Sequence, residues 1–187
     1  MNFWETLDSW ADNDLTDLLH DHVDNHATML SECEAFEHWT RVDENYGFWT
    51  PDSIKNHIKG IAPNIAKSSP HGPWDRWFAM PTEEDFPTLH KYLYSHSEYK
   101  NPIISKLGPG AQLAPHSHPK QKMLYNMSIN YPEGCQFAVY PTGLIPYKAG
   151  DVYKIKVQQE HAVYNRSNSD RYHVQIADVA DMSRIFR

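Results

Sequence analysis

The chain has 187 residues, 40% of them hydrophobic and 13% aromatic, which is enough for one domain with a real core. That composition excludes a disordered chain. The formal charge is −7 and no run of Lys or Arg occurs, which argues against nucleic acid as a partner.

The opening residues, MNFWETLDSWADNDL, are acidic and lack the apolar core of a signal peptide. No apolar run approaches the roughly 20 residues that span a bilayer. Cys33 and Cys135 lie far apart and outside any CxxC pair, which fits a reducing compartment. A soluble cytoplasmic protein with no membrane partner is expected.

Taken in order, NDLTDLLHDHVDNH spaces Leu15, Leu18, Leu19 and Val23 as a helix would, with Asn13 or Asp14 as its cap. His20, His22 and His26 fall on that helix. His22 and His26 stand four apart, a spacing open to a second metal site, although solvated histidines are the simpler reading. TPDSIKNHIKGIAPNIA begins with a capping residue and Pro51, then sets Ile54, Ile58 and Ile61 at helical spacing. A third helix is read in TEEDFPTLHKYLYSHSE, with Leu89, Tyr92 and Leu93 on one side. In the connector PHGPWDRWFAM, Trp74, Trp77 and Phe78 either pack the helices or wall a substrate pocket, packing being the simpler role.

From Asn101 the texture changes. PIISKL, KMLYNMSINY, CQFAVYP, DVYKIKV, HAVYN and RYHVQIADV are short runs separated by the turn signals GPG, PEG, KAGD and RSNSD. Such spacing predicts a β-sandwich or barrel. The expected organisation is α+β, one folded unit over 1–187. A mainly helical region, 1–100, packs on a β core, 101–187, against the apolar face of Met123, Tyr125, Met127 and Ile129. The opposite face, Lys122, Leu124, Asn126 and Ser128, meets solvent or lines a wet cavity. The same choice holds for Arg171, His173 and Gln175.

Twelve histidines are many for this length. Within GAQLAPHSHPKQKML, His116 and His118 are separated by one residue, so a strand would send both to one face. His161 follows in QEHAVYNRSNSDRYHVQ, with Arg171 ten residues later. Non-haem Fe(II) oxygenases combine two histidines with, usually, a carboxylate and keep coordination positions open. A close pair plus a distant third ligand meets that geometry, and His116, His118 and His161 supply it. Packed or surface histidines are the alternative.

Residues 85–179 resemble the aspartyl/asparaginyl β-hydroxylase group of 2-oxoglutarate-dependent oxygenases, within the double-stranded β-helix, or cupin, superfamily. The resemblance runs through FPTLHKYL, LGPGAQLAPHSHP, YPEGC, YKAGDVYKI, EHAVYN and Arg171. It implies a cupin-like jelly roll in the C-terminal half, covered by the helical region. It implies Fe(II) on His116 and His161, and 2-oxoglutarate as cosubstrate with its far carboxylate on Arg171. It also implies a small-molecule or peptide substrate, aspartyl, asparaginyl or otherwise amino-acid-like.

The chain departs from the family at two places. His118 stands where the family has glycine and offers a third imidazole, as in cupins with an HxH…H pattern. Where the family carries Arg-x-His, this chain has Lys122 and Asn126 on one face, with Ser128 beyond, as candidate cosubstrate contacts. Two alternatives follow: a three-histidine metal cupin that does not use 2-oxoglutarate, and a non-catalytic binding protein.

Overall fold

The computed structural model describes residues 19–41, 76–118, 121–140 and 143–181. The strands are β1 (Leu19–His22), β2 (Thr40–Arg41), β3 (Arg76–Ala79), β4 (Tyr99–Leu107), β5 (Gln112–His116) and β6 (Met123–Ser128). They continue with β7 (Cys135–Val139), β8 (Gly143–Leu144), β9 (Asp151–Lys156), β10 (His161–Asn165) and β11 (Arg171–Asp178). Two helices are described, α1 (His26–Ala35) and α2 (Pro87–Tyr94).

Alternating burial sorts the strands into two antiparallel sheets. A seven-stranded sheet runs β1-β9-β6-β11-β4-β3-β2 and a four-stranded sheet runs β5-β10-β7-β8. From β4 onward the chain crosses between sheets at nearly every turn. The core of β9-β6-β11-β4 against β5-β10-β7-β8 is therefore the eight-stranded jelly roll of a double-stranded β-helix.

Period-two alternation explains the two cores. On β6, Leu124 faces the second sheet, in a cluster with Leu107, Leu113, Phe137, Tyr153, Ile155 and Val163. Tyr125 and Met127 face the other way and pack with Met29 and Cys33 of α1 and Leu89 and Leu93 of α2. The expected apolar partner surface is thus used, with Ile129 included and Met123 left half-buried. Glu32 of α1 joins the helices. Its carboxylate accepts from the backbone N–H groups of Thr88 (2.8 Å) and Leu89 (3.2 Å), donors that no α2 carbonyl can reach.

The polar faces of β6 and β11 prove to be interior. Asn126, Ser128, Arg171 and His173 are all buried. Asn165 pins the end of this interior. Its Nδ2 donates to the carbonyls of Leu107, Gly108 and Ser169, at 2.8–3.1 Å, locking the β4–β5 turn to the β10–β11 connection.

In the first hundred residues one predicted helix changes form. The helix read over 13–26 is, in its described part, strand β1 followed by a helix that begins only at His26. Pairing with β9, more than a hundred residues away, overrides the local helical spacing of Leu19 and Val23. The described part of this region also contributes strands, since β1, β2 and β3 all join the large sheet. His20, His22 and His26 form no metal-binding group: His22 Nδ1 meets Asp151 Oδ1 at 2.8 Å and His20 approaches Glu98 at 3.5 Å. The third helix forms within the stretch read for it, over Pro87–Tyr94, burying Leu89 and Leu93 while Tyr92 is half-buried. The helix read around Ile54, Ile58 and Ile61, and Trp74, lie outside the described residues.

Candidate metal centre and interior pocket

His116 ends β5 and His161 begins β10, and the two are Cα partners across the four-stranded sheet. A register shift between His161 and Val163 bends β10 at this point, the kind of irregularity that re-aims a side chain. His118 lies beyond the end of β5, so the one-face rule for a strand does not place it. A backbone bond does: its N–H donates to Val157 O at 2.8 Å. The ring centroids are 4.3 Å apart for His116 and His161, 5.3 Å for His116 and His118, and 5.0 Å for His118 and His161. One nitrogen from each ring lies within 4.8 Å of the others, and all three residues are buried. Among the described residues no other group of three such ligands occurs.

Neighbours fix two of the rings. His161 Nδ1–H donates to Gln159 O at 2.9 Å, and His118 Nδ1–H donates to Gln121 Oε1 at 3.2 Å. Each bond puts the proton on Nδ1 and the lone pair on Nε2, the arrangement that orients metal-bound imidazoles. Burial, and then the adjacent His116 ring, pull His161 down to about 3. It is therefore neutral across the ordinary pH range, the state a ligand needs. Sequence reading found the three histidines but not Gln121, whose role depends on a turn back towards His118.

Phe137 connects the cluster to the rest of the interior. Its ring lies parallel to His161 at 6.4 Å, and the Arg171 guanidinium sits 5.9 Å from the same ring. Tyr131 lies 5.6 Å from that guanidinium. Arg171 is fully buried, and its Nη1 donates to His173 Nδ1 at 2.7 Å. Burial, then Arg171, then Arg76 hold His173 well below the usual imidazole range, so it accepts as a neutral ring. Arg171 Nε and Nη2 have no hydrogen-bond partner among the described residues. Those two groups form one edge of the guanidinium, shaped to receive both oxygens of a carboxylate.

The other candidate contacts separate. Asn126 is inside, its Oδ1 accepting from Tyr147 OH at 2.8 Å while Nδ2 has no partner among the described residues. Ser128 is inside as well, but its hydroxyl donates to Asn130 O at 2.8 Å. Lys122 precedes β6 with an exposed side chain, so it is not brought into the interior. One residue was missed altogether. Arg76 on β3 is buried and donates through Nε to Ser105 Oγ at 3.2 Å. The available signal was the alternation in RWFA, which sets Arg76 on the face of Phe78.

Residues 74–180, more than half of the chain, match the family model described as aspartyl/asparaginyl beta-hydroxylase. The chain belongs to the aspartyl/asparaginyl β-hydroxylase family. No curated protein matches it. Among solved structures, oxalate decarboxylase from Lactobacillus farciminis is 16% identical with a TM-score of 0.40, over 56% of this chain and 29% of that one. A predicted oxalate decarboxylase from Thermotoga maritima is 20% identical with a TM-score of 0.36, over 56% of this chain and 81% of that one. An RmlC-like cupin from Desulfovibrio desulfuricans is 21% identical with a TM-score of 0.34, over 44% and 74%. The chain thus spans well under two thirds of the Lactobacillus farciminis protein. The three buried imidazoles within this fold form a donor set that suits a divalent metal. Among the described residues no helix is long and apolar enough to cross a membrane.

Proposed function

We propose that this member of the β-hydroxylase family is an Fe(II)- and 2-oxoglutarate-dependent oxygenase. It would hydroxylate a C–H bond of an aspartyl, asparaginyl or other amino-acid-like substrate in the cytoplasm. The observation that carries the reading is Arg171: a fully buried guanidinium with an open two-donor edge, joined to a three-histidine cluster through Phe137. A buried charge without a counter-ion is strongly unfavourable, so this edge calls for an anionic ligand.

His116, His161 and His118 would hold the metal through neutral imidazole nitrogens. Bound iron would supply the redox chemistry of oxygen activation. The chain's own part is positioning. Arg171 receives the far carboxylate of the cosubstrate, and His173 holds the guanidinium in place by accepting from Nη1. Tyr131 and Phe137 cover the guanidinium with ring surface and keep water from it. Tyr147 fixes Asn126 so that its Nδ2–H group faces the interior as a further donor.

The test is metal analysis followed by anaerobic titration with 2-oxoglutarate. Arg171→Lys keeps the charge but not the planar fork. It should lose one charge-assisted contact, about 1.5–3 kcal/mol, or roughly ten- to hundredfold in affinity. Unchanged affinity would favour the second reading, a three-histidine cupin whose substrate binds the metal directly. The presence of His118 in the cluster is the observation that supports that reading. A protein that takes up no metal would be a non-catalytic binding protein.

A further inference from the structure

Arg76 has no part in the reaction as proposed above. It stands on β3, and Leu107 of β4 is the Cα partner of both Arg76 and Arg171. Residues in register across a sheet share a face. The two arginines therefore rise on either side of Leu107, from the face that looks into the interior cluster. Each then leans along its own strand towards the next inward row. Arg76 donates to Ser105 and lies 4.6 Å from the Phe78 ring, while Arg171 donates to His173. Ser105 is the Cα partner of both Phe78 and His173, so the two guanidiniums converge over adjacent positions.

Both side chains are buried, Arg76 at 3% and Arg171 at 0% exposure. Burial, and then Arg171, lower Arg76 to about 9, which leaves it protonated at neutral pH and within reach of its neighbour's field. Among the described residues no carboxylate pairs with either. Arg76 Nη1, like Arg171 Nε and Nη2, has no hydrogen-bond partner there. Two like charges buried on either side of one strand, each within the other's field, are unfavourable until an anion joins them.

We infer that Arg76 is a second anion-binding residue of this pocket, closing with Arg171 on a single carboxylate group. The inference rests on the proposed function only in naming that carboxylate as the far end of 2-oxoglutarate. The clamp itself binds one carboxylate-sized anion; selectivity for a keto acid with a second carboxylate follows only together with the proposed metal site.

Two measurements on the full chain test it. The first is thermal unfolding of the metal-free protein with glutarate or inorganic phosphate. Either anion should raise the unfolding temperature of the wild type, and Arg76→Gln should abolish the rise. Arg76→Lys, which keeps a charge without the Ser105 contact, should retain part of it. No rise in the wild type, or an undiminished rise in Arg76→Gln, overturns the clamp. The second is anaerobic calorimetry of the Mn(II)-loaded protein with 2-oxoglutarate and with 2-oxopentanoate, which lacks only the far carboxylate. Arg76→Gln should weaken 2-oxoglutarate roughly ten- to hundredfold and leave 2-oxopentanoate unchanged. Equal weakening of both would make Arg76 merely structural and overturn the inference. A wild type that shows the anion-dependent rise but does not prefer 2-oxoglutarate would sink the oxygenase reading and leave the clamp standing.

Discussion

Two rings of the cluster are held by neighbours, so removing a ring and removing a holding bond should have different effects. His116→Ala and His161→Ala each remove a ligand and should abolish tight metal binding; full retention of iron in both would refute the site. Gln121→Ala leaves all three histidines but removes the bond to His118 Nδ1, and should weaken metal binding roughly 10–100-fold in a metal titration. His173 gives a readout that needs no metal. Its folded state stays neutral, whereas the unfolded chain protonates below about pH 6.5. Below that pH the unfolded state binds the extra proton, so stability falls as pH falls, by up to about 1.4 kcal/mol per unit for this residue. His161 adds the same trend down to about pH 3. His173→Gln should therefore flatten the fall in urea stability between pH 6 and 5; an unchanged slope would mean that His173 is not held neutral. The three histidines of the cluster were singled out in the sequence by a one-residue gap and a distant partner, although His118 lies beyond the strand that argument assumed. Arg76 was not, because its meaning comes from sharing Leu107 with Arg171, a relation visible only once β3, β4 and β11 lie side by side.

Among the elements, six strands after Asn101 were read within a few residues of their bounds because period-two alternation is a local signal, whereas β5 and β8 were not read as strands. Strands β1 and β3 were missed because they are four residues long and owe their form to partners far along the chain. Gly150 is the point at which β1 and α1 are joined to the jelly roll. Its N–H donates to Ser128 O, its carbonyl accepts from Val23 N–H, and its φ is +89°. A Cβ there would stand 2.6 Å from Val23 O and 2.8 Å from His26 Cδ2. Gly150→Ala should therefore cost more than the roughly 1–2 kcal/mol of left-handed backbone strain alone, read from urea unfolding. A loss well below that would mean that β1 and α1 are loosely attached.

At the scale of the whole molecule, the first hundred residues are proposed to be part of one folded unit. Val23, Met29, Cys33 and Ala79 share a cluster with Tyr125, Met127 and Ile176 of the large sheet. A fragment beginning at Thr82 lacks those four residues and should expose the sheet's apolar face, giving a poorly soluble protein. If it stays monomeric and unfolds at the temperature of the full chain, the N-terminal part is a separate module. The fold class was legible here as sandwich or barrel from strand spacing alone. The jelly-roll order was not, since nothing local records which strands cross between sheets.

The three-imidazole donor set also bears on which metal the protein acquires. Neutral nitrogen ligands rank the divalent metals in the Irving–Williams order, with copper above zinc and both above ferrous iron. Nothing in three buried rings reverses that order. In an equilibrium competition copper and zinc should displace iron, so occupancy by iron depends on supply rather than on preference. Protein produced in a zinc-rich medium should carry zinc and be inactive, then gain activity when stripped and reloaded with ferrous iron under anaerobic conditions.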